Sequence, residues 1–253
     1  QRGTITVDLS AVEQFEALAL PPTEEEVRGG EEYRSLGPAD CQCFAVQASS
    51  LGNRLAAERN AVCAQHSAKP HRNERATWLK LQILGESEIA ARDMSAAQAL
   101  EAYYKLAAVE QGRENFAKSL AELSEAQKNV AKLTDRGLQG IADDGSLERQ
   151  RFELSSQLGQ LELDRRELNG TLRNKLGVPV HEPWWVVWPD TPLAVDANPI
   201  DVDAAVAIAM QSRSDLRMLR IVLYNTDEET IGAVRAVLVQ INGLLGLEPA
   251  SSC

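Results

Sequence analysis

The chain has 253 residues, 44% apolar and 25% charged, with a formal net charge of -11. That balance fits an ordered protein of one or two domains, and its acidity argues against a nucleic-acid surface, since such affinity rests on Lys and Arg neutralising phosphates. Anionic lipid is disfavoured for the same reason, and no apolar run approaches the roughly 18 residues of a membrane-spanning helix.

Residues 1–37 read as a weakly structured lead-in. ITVDLSAV is a short strand or capped turn, PPTEEEVRGGEE is a charged loop, and the opening at Gln1 leaves a removed leader open. A helix is predicted from Pro38, with Pro and Asp in the first turn, where a missing amide and a negative charge are tolerated. A bend is expected near Gly52, and a polar loop from Ser67 to Ala76 containing Pro70. Cys41, Cys43, Cys63 and Cys253, with His66 and His71, are the zinc-ligand residue types present, but they lack paired ligand spacing. They read as small buried residues or as one disulfide linking Cys41 or Cys43 to Cys63. No metal and no cofactor are expected.

The dominant pattern runs from about Ile89 to Leu176. A helix starting near Arg75, with a possible kink at Gly85, leads into a first arm in which Val109, Phe116, Leu123 and Val130 recur every seven residues. Leu106, Leu120 and Leu133 keep the same face apolar. In the second arm Leu147, Leu154, Leu161 and Leu168 keep the heptad, with Leu158 and Leu172 between them. Three glycines and an Asp-Asp-Gly turn separate the arms, so the chain reverses there. The fold class expected is mainly α: a long antiparallel coiled-coil hairpin with arms of roughly 50 to 70 Å, flanked by shorter helices. Its tip, at Arg136, Gly137, Leu138, Ile141, Asp143 and Asp144, is the candidate partner-binding site, because side chains there are free of seam packing. Arg151 and Arg165 fall at seam edges and are candidate assembly residues. Tyr103 and Tyr104 read as packing residues.

Gly177 followed by Pro179 stops the second arm. HEPWWVVWPDTPLAVDANP then reads as an extended apolar connecting segment; a tryptophan ligand platform is the alternative. Asp201 or Asp203 caps a further helix. AVQASSLGNRLAAE from Ala45 and AMQSRSDLRMLRIV from Ala209 share an apolar helix end, a Ser-rich break and a second helix, so a repeat is expected. The organisation expected is a lead-in (1–37), a first repeat with its hairpin (38–180, tip near 134–146), a Trp/Pro-rich connection (181–200) and the start of a second, truncated repeat (201–253).

The order of SRSDLRMLR at Ser212 to Arg220, EAYYKLAAVEQ leading to the RGL tip at Arg136 to Leu138, and RRELNGTLRNKLGVP at Arg165 to Pro179 resembles the TolC-like outer-membrane efflux protein family. The resemblance covers most of Glu31 to Leu247. It implies a homotrimeric periplasmic exit duct at the cell outer membrane, coupled to an inner-membrane pump, whose hairpin tips engage a periplasmic adaptor protein. It implies no enzymatic activity. Two departures stand out: Leu133 sits where the family keeps a basic residue, and Ser67 to Ala76 is too short for the family's barrel strands. The alternative is a coiled-coil scaffold or adaptor without transport activity. No phosphate loop, His-Glu metal pair or nucleophile elbow points to an enzyme.

Overall fold

The structure is a computed structural model that describes residues 32–68, 74–136, 144–179, 185–191, 193 and 201–245. Of these, 86% are helical. In chain order the elements are β1 (Glu32–Leu36), α1 (Pro38–Ala48), α2 (Ser50–Ala68), α3 (Glu74–Asp135), α4 (Asp144–Lys175), β2 (Trp185–Pro189), α5 (Val202–Ser212), α6 (Ser214–Asn225) and α7 (Ile231–Leu245). At 62 residues, α3 is about 90 Å long. It runs unbroken through Gly85, where the sequence allowed a kink. None of the helices is long and apolar enough to cross a membrane among the described residues.

The residues form two compact units, to which α3 contributes residues 100–135 and 74–99 respectively. In the first unit, β1 and β2 pair in parallel, with Tyr33 opposite Val186 and Arg34 opposite Val187. All five β2 residues are buried, in keeping with the connecting segment expected for the tryptophan run. β1 was not expected. EYRSL carries no apolar alternation, and its pairing partner lies some 150 residues further along the chain. The free edge of β2 is closed by Asn169 of α4, whose Oδ1 accepts from Val187 N at 2.8 Å while its Nδ2 donates to Val187 O at 3.4 Å. A side-chain amide thus takes the place of a third strand. Tyr103 is fully buried, and its hydroxyl accepts from Thr191 N.

In the second unit the core is Leu55 and Val62 of α2, Leu79, Ile83, Leu84 and Ala91 of α3, and Val234, Val237 and Ile241 of α7. Fully burying each leucine or isoleucine here contributes on the order of 1.5–3 kcal/mol. The break expected near Gly52 falls at Ser49 instead. The buried Ser49 hydroxyl accepts from Gly52 N at 3.2 Å, capping α2, and sits 2.9 Å from Ser95 Oγ. Gly52 serves a different purpose: a Cβ there would meet Arg92 Cγ at 2.8 Å. The Arg92 guanidinium donates to Val46 O and Asn53 Oδ1. Asp201 caps α5 by accepting from Ala204 N at 3.0 Å. Both stretches read as repeats fold as an 11-residue helix, a one-residue break and a second helix, at Ser49 and at Arg213.

Helix α4 ends as its sequence requires. Gly177 has φ +73, and Val178 N donates to Arg173 O at 3.0 Å, a bond that closes the last turn only with a left-handed residue between. A Cβ on Gly177 would come within 2.7 Å of Ala48 Cβ. No disulfide joins Cys41, Cys43 and Cys63 to one another; Cys41 is buried and the other two are exposed.

Candidate functional site

Among the described residues of the first unit, charge is concentrated inside the protein where α3 and α4 meet beside β1. A helix that buries an apolar stripe ordinarily keeps charge off it. Here the stripe of α3 continues from Leu106 into Glu110 and Arg113, and that of α4 from Leu161 and Leu168 into Arg165. Glu110 and Arg165 are both buried, at 3% and 6% exposure.

The geometry pairs each charge across the helices. Glu110 Oε2 accepts from Arg113 Nη1 at 2.6 Å, and its Oε1 lies 3.7 Å from Arg165 Nη1. Glu162 accepts from Arg165 Nη2 at 3.1 Å and from Arg166 Nε at 3.2 Å, and its Oε2 lies 3.1 Å from Arg113 Nη2 as an ion pair. Arg165 Nη1 donates to the Tyr33 hydroxyl at 3.0 Å, and its guanidinium lies 5.8 Å from the centre of the Tyr33 ring. Two carboxylates, three guanidiniums and one phenol therefore tie β1, α3 and α4 together.

Burial dominates at Glu110 and pushes its carboxyl above the usual range, against the pull of Arg113 and Arg165. At Glu162 burial acts in the same direction, but the hydrogen bond and charge of Arg165, with Arg113 and Arg166, outweigh it, so its carboxyl is held below the usual range. Burial works against the Arg165 charge too; the Tyr33 hydrogen bond and the two glutamates hold its proton more tightly than usual.

Compared with protein-family models, curated proteins and solved structures, the chain has no match.

Of the residues singled out in the sequence, Arg165 lies in this cluster and Arg151 is exposed on α4. Arg136 is exposed just past α3, its amide donating to Leu133 O at 3.1 Å, and Asp144 is the first residue of α4. Gly137, Leu138, Ile141 and Asp143 lie outside the described residues. Trp185 and Trp188 are buried in β2, which leaves them no open face as a ligand platform. Glu110, Arg113, Glu162 and Tyr33 were not picked out from the sequence. The signal available was the interruption of both apolar stripes by charge at matching distances from the turn. No group of three or more His, Cys, Asp or Glu is placed to hold a metal among the described residues.

Proposed function

We propose that the chain is an outer-membrane-factor-like component of a tripartite efflux or type I secretion system, in which α3 and α4 form an antiparallel coiled-coil hairpin within a periplasmic exit duct. The observation that carries this reading is the order of contacts between the two helices. Glu110 meets Arg165 and, three residues later, Arg113 meets Glu162, three residues earlier. Gly112 faces Leu161 as well. In sequence, the midpoint of both ionic pairs falls between Gly137 and Leu138. The heptad residues Leu147, Leu154, Leu158, Leu161 and Leu168 are each partly covered, and Leu172 is buried, as a continuous seam requires.

Self-association, as a homotrimer in this reading, is supported by α5. Eight of the eleven residues in VDAAVAIAMQS are apolar, yet the helix has no buried residue. Val202, Val206, Ile208 and Met210 are all exposed. A helix apolar on every side belongs in a protein interior, and a neighbouring protomer supplies one. The hairpin tip is the docking site for a periplasmic adaptor protein, and the cell outer membrane and periplasm are the location this function demands. The chain performs no chemistry of its own in this account; the pump supplies the energy.

The direct test is a pull-down with a periplasmic adaptor protein from the same source. Gly137→Asp with Leu138→Asp is expected to abolish capture while circular dichroism stays unchanged, since the seam is not touched. Capture that survives the double substitution would move the contact off the tip, and failure of the unsubstituted chain to bind any adaptor would favour a coiled-coil scaffold.

A further inference from the structure

Within the second unit, α2, α3, α6 and α7 line a partly open cavity of about 270 Å³. Its origin is legible along α3: Ser87, Ala90 and Ala91 fall on one face at helical spacing, and these small side chains leave a low floor that Leu55, Met218 and Ile241 do not fill. An apolar cavity of roughly 150 Å³ already suffices to hold benzene. Met94, 48% exposed, lies along the wall with Met218, and unbranched thioethers adapt readily to an aromatic ring.

The charges on the wall are already engaged. Glu86 accepts from Arg217 Nε at 2.8 Å, and Asp215 from Arg213 at 2.6 and 3.0 Å, so neither carboxylate calls for a cationic ligand. The polar groups are two hydroxyls. Ser87 Oγ donates to Ile83 O at 2.8 Å, which leaves its lone pairs to accept. Ser214, 8% exposed, lines the cavity as well and brings a second hydroxyl to its wall. A ligand group that bonds this hydroxyl adds a hydrogen bond to the apolar contacts of the cavity.

We propose that this cavity binds a small uncharged aromatic molecule of one or two fused rings carrying a single hydrogen-bonding group, of the phenol or indole class. The ring rests on Ala90 and Ala91 between Met94 and Met218, and the polar group meets Ser214. This site is independent of the hairpin and of the duct reading.

Indole and toluene titrated separately into the full chain test it by calorimetry and thermal denaturation. Saturable one-to-one binding of indole is expected, with a rise in thermal midpoint of about 1–3 °C at saturation. Ser214→Ala should weaken indole about three- to tenfold and leave toluene within about twofold, because only indole uses the hydroxyl. Ala90→Phe, which fills the floor, should abolish binding of both. The proposal is overturned if neither probe binds saturably, if Ser214→Ala leaves indole affinity unchanged, or if a folded Ala90→Phe chain binds as before.

Discussion

Arg165→Met keeps most of the apolar stem in place and removes the guanidinium. The lost interactions are the hydrogen bond to the Tyr33 hydroxyl, the contacts to Glu162 and the charge beside Glu110. Removing one partner of a buried ion pair costs about 3–5 kcal/mol when the other is left alone. Here Arg113 remains beside both glutamates and Arg166 beside Glu162, so the expected loss is smaller, about 2–3 kcal/mol. For a chain of this size that is a fall in thermal midpoint of about 5–10 °C. Urea denaturation followed by circular dichroism measures it. The pH dependence gives a second reading. Because the Glu110 carboxyl is held above the ordinary glutamate value of 4.5, its ionisation opposes folding. That opposition is absent below the ordinary value, where the group is protonated in both states, and complete once pH passes the folded value. Without Arg165 the opposition grows, so the Glu110 part of the deficit should be largest near neutral pH and should shrink on acidification. Adding Glu110→Gln to Arg165→Met should recover part of the loss near neutral pH. A deficit below about 0.5 kcal/mol, the level of an ordinary surface substitution, would refute the role given to the cluster.

Three further outcomes follow from the same structure. Glu162 is held below its ordinary range, so the stability it contributes is present above that range and lost as pH falls through its folded value; Glu162→Gln should therefore destabilise at neutral pH and progressively less in acid, by denaturation at several pH values. Gly177→Ala puts a Cβ on a left-handed residue and against Ala48, and should cost about 2–4 kcal/mol in urea melts. Asn169→Leu leaves the Val187 N–H and carbonyl without their partner and should cost about 2–4 kcal/mol, with faster amide exchange at Val187.

Features governed by local chemistry were readable in the sequence. Gly177 with Pro179 marked the end of α4, Asp201 or Asp203 marked the start of α5, and leucine periodicity marked the two long helices to within a turn at the tip side. Features set by distant neighbours were not. β1 is a strand because Val186 and Val187 lie beside it, not because EYRSL favours one. The α1–α2 break sits at Ser49 because its hydroxyl caps α2 beside Ser95, while Gly52 is needed for close approach to Arg92. The charged cluster was half visible. Arg165 stood out against a leucine seam, but its partners Glu110 and Tyr33 come from other elements, and only the fold brings them within reach.

The antiparallel pairing of α3 and α4 is the claim on which the proposed duct rests, and a distance measured across them tests it most directly. Ser119 and Ser156 are both exposed, and their midpoint also falls between Gly137 and Leu138. With the native cysteines replaced and spin labels attached at Ser119→Cys and Ser156→Cys, pulsed electron-electron resonance should give a separation of about 10–25 Å, the span of two adjacent helices and two labels. Helices running on in one direction would place the labels about 55 Å apart. A distribution centred near that longer distance would contradict the hairpin and the function proposed from it.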